Sequence, residues 1–109
     1  MTVRGEIWTV AGGVYASKPR PALIIQDDLF GDTDSVTVLP MTSHYVEAPL
    51  LRMQIEPDRV SGLGEMSWVM VDKLTTVRRS SVGRKIGRVS STQLVEVERL
   101  LMLFLGIAT

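Results

Sequence analysis

The apolar positions of the chain fall into short runs between residues 6 and 89 and take up a helical spacing only after Ser90. Segment 6–10, "EIWTV", is short, β-branched and aromatic, and predicts a strand that starts after Gly5. "AGGVYASKP" at 11–19 carries two glycines and a proline and reads as a loop with Tyr15 near its middle. "ALIIQ" at 22–26 is continuously apolar up to Gln26, as in a strand buried on both faces. A turn-rich loop at 27–35 follows, then a third strand at 36–42, whose Pro40 places its end near an edge or bulge. In "LRMQIE" at 51–56, Leu51, Met53 and Ile55 alternate with Arg52, Gln54 and Glu56, which marks a half-exposed strand. Pro57-Asp58 turns the chain, and "SGLG" at 61–64 reads as a second flexible stretch. "SWVMVDKL" at 67–74 predicts the next strand, and "KIGRV" at 85–89 a short final one around Gly87.

The helix comes last. Ser90 with Gln93 three residues on has the form of a capping box. Beyond it Leu94, Val97, Leu101 and Phe104 share one helical face. Leu100, Met102, Leu103 and Leu105 make the last turns apolar nearly all round. Such an end is expected to be buried against the sheet, another subunit, or both. Strands followed by a single helix predict a mainly β, barrel-like domain with a C-terminal helix.

Composition narrows the function classes. A chain of 109 residues fits one domain, 1–109, and 45% hydrophobic residues suffice for a core. Formal net charge is zero, yet residues 73–88 hold six cations (Lys73, Arg78, Arg79, Arg84, Lys85, Arg88) and no carboxylate. A local basic patch of this kind attracts phosphates even on a neutral protein, although a solvated face has the same composition. The absence of cysteine excludes disulfide scaffolds and thiolate zinc sites. No signal peptide is visible, and the apolar run 100–108 is about half the length of a bilayer span. These features predict a cytoplasmic protein without a membrane partner.

"RGEIW" at 4–8, "KPRPALIIQDD" at 18–28, "LPMTS" at 39–43, "SWVMVDKLTTV" at 67–77 and "IGRVSSTQLVEVERLL" at 86–101 occur in the order of the MazF/PemK toxins. The chain resembles that family over nearly its whole length. The resemblance implies an SH3-like small barrel of the type shared by MazF and the gyrase poison CcdB. It also implies a homodimer that cuts single-stranded RNA at short motifs, with mRNA the main target and tRNA or rRNA further candidates. Cleavage would leave a 2′,3′-cyclic phosphate and a 5′-hydroxyl, with no metal and no cofactor. A cognate MazE-like antitoxin would bind along the RNA groove, and the cell would be bacterial.

Cleavage to a cyclic phosphate needs a deprotonated 2′-hydroxyl, a stabilised phosphorane and a protonated 5′-oxygen. One histidine per chain leaves no two-histidine acid–base pair within a protomer, so electrostatic stabilisation is expected to dominate. Arg20, held between Pro19 and Pro21, suits that task because its guanidinium is permanently charged and forks onto phosphate oxygens. The flanking prolines restrict the backbone on either side of it. Thr42 matches the threonine that the family places beside this arginine. Its hydroxyl can donate to a phosphate oxygen or position the 2′-hydroxyl, and Ser43 offers a similar group. Taken alone, Thr42-Ser43 is equally a strand-ending turn. Ser17 and Lys18 are candidate phosphate contacts. Tyr15 is a candidate stacking platform, and Trp8 is read as core. Asp72 matches an acid of PemK-type members and equally suits a pair with Lys73 or an arginine. His44 matches no motif of the family and reads as an exposed loop residue.

Two departures from the family pattern stand out. The first loop is shorter than the common form and lacks its Gly-Ser-Glu, which leaves no carboxylate near Arg20 in sequence. Leu74-Thr75-Thr76 stands where many relatives carry Ile-Arg-Thr, and Arg78 and Arg79 are the expected substitutes for that arginine. Two other functions suit the same fold: a CcdB-like gyrase poison, of which "FLGI" at 104–107 is a faint echo, and a pure interaction module. Arg20-Pro21 together with Thr42 favours the nuclease.

Overall fold

A computed structural model describes residues 1–12 and 16–107, with the side chains of residues 12, 16 and 17 outside that description. Among the described residues, seven antiparallel strands precede one α-helix. They are β1 (Glu6–Gly12), β2 (Ala16–Ile24), β3 (Ser35–Thr42), β4 (Arg52–Ile55), β5 (Ser67–Met70), β6 (Thr75–Arg78) and β7 (Val82–Arg88), followed by α1 (Ser91–Leu105). The sheet order is β4-β5-β3-β2-β1-β7, and β6 pairs with β3 beside that path. This is the mainly β architecture with a C-terminal helix that the pattern predicts.

Strand β2 shows why the sheet holds together. Leu23 and Ile25 enter one core with Ile7, Leu39, Met41, Val69 and the helix residues Val97 and Leu100. Ala22 and Ile24 enter a second core on the opposite face with Val10, Val36, Val38 and Val77. The unbroken "ALII" run is thus buried on both faces, as expected. Each fully buried aliphatic side chain here contributes about 1.5–3 kcal/mol.

Strand β3 changes partners along its length. Residues 35–38 pair with β6, while Met41 and Thr42 pair with Val69 and Trp68 of β5. Pro40 lies between those two segments and pairs only with Ala22 of β2. A residue without an N–H fits where one neighbouring strand leaves and another begins.

Four local expectations need correction. The loop expected at 11–19 is largely strand, since β1 runs to Gly12 and β2 begins at Ala16; Tyr15 lies outside the described residues. The strand expected at 67–74 ends at Met70, where a 3₁₀ turn at Val71–Lys73 gives way to β6. The final strand begins at Val82 rather than residue 85. The "SGLG" stretch is pinned rather than loose. Buried Ser61 donates from Oγ to the Glu56 carbonyl at 2.7 Å, and Asp58 Oδ1 accepts from the amides of Val60 and Ser61. Arg88 N–H bonds the Val60 carbonyl at 2.9 Å and ties this loop to β7.

The helix begins as predicted. Ser90 Oγ accepts from Gln93 N, and Gln93 Oε1 accepts from Ser90 N. It ends at Gly106, whose φ of 73° lets its N–H and that of Ile107 reach the carbonyls of Leu103 and Met102. Val97 and Leu100 are buried, and Leu94 and Leu101 pack at the margin of the core. Phe104, expected on the buried face, is exposed together with Met102, Leu103, Leu105 and Ile107. Among the described residues no helix is long and apolar enough to cross a membrane.

Candidate active site

Arg20 lies in β2 directly opposite Val10 of β1. Between Val10↔Arg20 and Gly12↔Ala16 the pairing advances two residues on β1 and four on β2, a bulge of the kind that re-aims side chains. Strand β3 pairs with β2 only over Ala22–Ile24, so the preceding residues have one side without a strand. Pro19 and Pro21 are tolerated there because no ladder bond is required on that side. Pro19 and Arg20 are exposed as a result.

Thr42 is the last residue of β3 and is half-buried; Ser43 beyond it is exposed. Arg20, Thr42 and Ser43 line one cavity of about 560 Å³. The opposite walls come from the pinned loop (Gly62, Leu63, Gly64, Glu65) and from Arg84 and Ile86 of β7. Thr42 Oγ1 accepts the backbone N–H of His44 at 3.0 Å. An oxygen that accepts one N–H still has its proton to donate and a second lone pair to accept with.

Two side chains of this cavity escape the sequence reading. Glu65 brings a carboxylate to the cavity wall from a segment distant in sequence from Arg20. Arg84 is the second cation. It belongs to the basic run at 73–88, but nothing in that run distinguishes it from its neighbours until β7 is laid beside β1. Gly83, next to it, places a Cβ position 2.4 Å from Thr9 Oγ1, and Arg84 N–H bonds the same oxygen at 3.0 Å. That close approach fixes the backbone from which Arg84 projects. No ion pair among the described residues engages Arg20, Arg84 or Glu65.

The other predicted residues lie elsewhere. Arg79, expected near the groove, donates to the Thr33 carbonyl and to Thr2 Oγ1, and so ties the β6–β7 connection to the N-terminus and the 27–35 loop. Arg78 is exposed at the end of β6, opposite Ser35. Neither lines the cavity; the cation that joins Arg20 there is Arg84. Asp72 is salt-bridged to Arg52 rather than Lys73. Lys18 is exposed on β2 outside the cavity wall, the side chain of Ser17 is outside the described residues, and His44 is exposed. Trp8 packs against the second core and donates from Nε1 to Glu6 Oε1 at 2.9 Å.

Partial burial pushes the Glu6 carboxyl up. Hydrogen bonds from Lys85, Trp8 and the Val3 amide, with the attraction of Lys85, outweigh that effect and hold it below the usual range. Lys85 is thereby committed to Glu6 at 2.8 Å while its neighbour Arg84 faces the cavity. Among the described residues no group of three His, Asp or Glu side chains is placed to hold a metal ion.

A small curved β-sheet with a cation-lined cleft and a C-terminal helix is the design of one class of bacterial toxins. The model of the PemK-like, MazF-like toxins of type II toxin–antitoxin systems matches residues 3–105, and the chain belongs to that family. It is 53% identical over 106 residues to a probable endoribonuclease MazF of Mycolicibacterium smegmatis, covering 96% of this chain and 97% of that one. Among solved structures, a mycobacterial endoribonuclease in complex with its cognate antitoxin superposes with a TM-score of 0.83 at 19% identity, covering 100% and 99% of the two chains. The Mycobacterium tuberculosis toxin MazF-mt6 gives 0.82 at 22% identity, covering 95% and 99%. At such identities these structures establish the shared fold.

Proposed function

We propose that this chain is the toxin of a type II toxin–antitoxin pair and acts as an endoribonuclease on single-stranded RNA, arresting translation. The observation that carries this reading is the convergence of Arg20, Thr42, Ser43, Glu65 and Arg84 on one cavity. The 2′-oxygen attacks the adjacent phosphorus, a new P–O2′ bond forms and the P–O5′ bond breaks. The products are a 2′,3′-cyclic phosphate and a 5′-hydroxyl. Arg20 and Arg84 bring two fixed positive charges to the phosphorane, where charge develops most. Thr42 donates its hydroxyl proton to a non-bridging oxygen while its oxygen accepts from His44 N–H. Glu65 accepts the 2′-hydroxyl proton. Arginine is a poor acid at its ordinary pKa, so the leaving 5′-oxygen draws its proton from solvent.

The chain works in the cytoplasm as a single catalytic domain, and its partners are RNA, a second copy of itself and a MazE-like antitoxin. The antitoxin complex of the structural relative supports the last of these. The gyrase-poison reading is not favoured, because family membership and the Arg20–Thr42 cavity both belong to the nuclease. The test is incubation of the purified protein with a long single-stranded RNA in EDTA, with mapping and chemical analysis of the ends. Fragments with cyclic-phosphate and 5′-hydroxyl ends are expected, and Arg20→Ala abolishes them. Intact RNA together with gyrase-dependent DNA breaks would overturn the assignment.

A further inference from the structure

A second hollow of about 250 Å³ lies beside the cavity, lined by Tyr45, Val46, Glu47, Arg52, Gln54 and Trp68 among others. The pairing of the strands ties the two hollows together. Thr42, in the wall of the first, is the register partner of Trp68, in the wall of the second, and Gln54 is in turn the partner of Trp68. Directly paired antiparallel residues present their side chains to the same face, about 4.5–5.5 Å apart. The chain also leads from one hollow to the other, from Ser43 through His44 to Tyr45.

The chemistry of the second hollow differs from that of the first. Tyr45 meets Trp68 edge to face, with ring centroids 5.4 Å apart and planes at 60°. Tyr45 is nonetheless 60% exposed, so most of a large ring is held in place yet open to solvent. The charge of Arg52 is met by Asp72, and Glu47 adds a carboxylate to the wall. The hollow therefore offers a phosphate no net attraction. The Gln54 amide donates to the Met66 sulfur, a weak acceptor, which leaves its oxygen and second N–H for another group. The volume is below the roughly 300–1,000 Å³ of sites for larger ligands, and suits one planar ring system.

We propose that this hollow is a base-recognition subsite. It takes the base of a nucleotide adjacent to the scissile phosphate, which stacks on the Tyr45–Trp68 pair while Gln54 reads its edge. Stacking supplies affinity for any base, and the amide, which offers one donor and one acceptor, supplies the choice. The inference rests on the nuclease reading and adds to it the origin of part of the sequence preference.

Trp8 and Trp68 are the two tryptophans of the chain. Trp8→Phe, in the second core, therefore leaves Trp68 as the reporter. The probe is a short single-stranded RNA spanning a mapped cleavage site, with 2′-deoxyribose at the scissile nucleotide so that the nucleophile is absent. Its binding is followed independently by anisotropy of an end label. Trp68 emission is expected to change on saturation, and the change is lost when the adjacent nucleotide is abasic. In cleavage, Tyr45→Ala is expected to raise KM about tenfold with kcat unchanged, and to relax the preference at one position of the map. Bound RNA with unaltered Trp68 emission overturns the subsite, as does a Tyr45→Ala map and KM identical to wild type. Weakened antitoxin binding with unchanged RNA behaviour would reassign the hollow to the protein partner. Failure of wild type to cut RNA at all would instead sink the nuclease reading, a separable result.

Discussion

The backbone amide of His44 donates to Thr42 Oγ1 at 3.0 Å, at the point where β3 ends and the chain turns away from the cavity. The contact combines the two roles that the sequence assigns to a terminal Thr-Ser, since the same oxygen closes a turn and belongs to the site. The hydroxyl keeps its proton for donation while its oxygen accepts from the turn. Thr42→Val, nearly isosteric, is expected to lower kcat about 10²–10³-fold. Thr42→Ser, which keeps the oxygen, should retain most of the activity. Equal rates for Thr42→Val and wild type, measured on a mapped oligonucleotide, would remove Thr42 from the mechanism.

Arg84 and Arg79 offer a contrast within one basic run. Arg84 lines the cavity, whereas Arg79 is occupied with Thr33 and Thr2. Arg84→Ala is expected to reduce kcat/KM by about one to two orders of magnitude with little change in Tm, as for loss of a charged contact to the reacting phosphate. Arg79→Ala should do the reverse, lowering Tm while leaving kcat nearly unchanged. Steady-state cleavage and thermal melts on both variants decide between the two arginines, and an exchange of these phenotypes would refute the assignment.

The long-range arrangement explains how much of this was legible in the chain. Strands such as 22–26 and the capped helix announce themselves because burial on two faces and a capping box leave local marks. The break at Val71–Lys73 does not, because Val71 is as buried as Val69 and the apolar run continues across the turn. Arg20 and Thr42 stand out by motif. Glu65 and Arg84 reach the same cavity only through the register of β7 on β1 and the pinned loop, and no local spacing encodes that register. Asp72, which suits either a groove or an ion pair by sequence, is met by Arg52, and Arg79 is engaged by Thr33 and Thr2.

Gly62 tests whether that loop must be rigid to serve the site. Its φ of 68° suits glycine, and a Cβ there would lie 2.1 Å from the Ile86 carbonyl oxygen. Gly62→Ala should cost roughly 1–3 kcal/mol and displace the loop that carries Glu65, lowering Tm and kcat together. Gly64, two residues on, has no neighbour within 4 Å of its Cβ position, so Gly64→Ala is expected to be close to neutral. Matching effects of the two substitutions in melts and in cleavage would show that backbone fit at Gly62 is immaterial.

Glu6 gives the stability a defined acid limb. Its folded pKa lies below the ordinary value of 4.5, so its contribution is full above that pH and is lost as pH falls through the folded value. Glu6→Gln keeps the shape but loses the charge-assisted bonds to Lys85 and Trp8. At neutral pH it should be less stable by about 1 kcal/mol, a figure kept small because the Lys85 ammonium is half exposed. The difference from wild type should shrink as pH drops below 4.5. Denaturant melts across that range provide the measurement, and a gap that stays constant with pH would contradict the role given to Glu6.

The end of α1 bears on assembly. Met102, Leu103, Phe104, Leu105 and Ile107 are each 44–64% exposed in one contiguous stretch. Val97 and Leu100 already satisfy the contact between helix and sheet, so this end has apolar surface beyond what the protomer can cover. Burial of part of this stretch, or of the strands beside it, by a second copy of the chain is the expected arrangement. Phe104→Ser combined with Leu103→Ser is then predicted to shift sedimentation at micromolar concentration from dimer toward monomer. The circular dichroism of the helix should be retained, because neither residue is buried within the protomer. Wild-type protein that sediments as a monomer at that concentration would exclude the dimer outright. A double variant that remains fully dimeric would move the interface away from the helix and onto the strands.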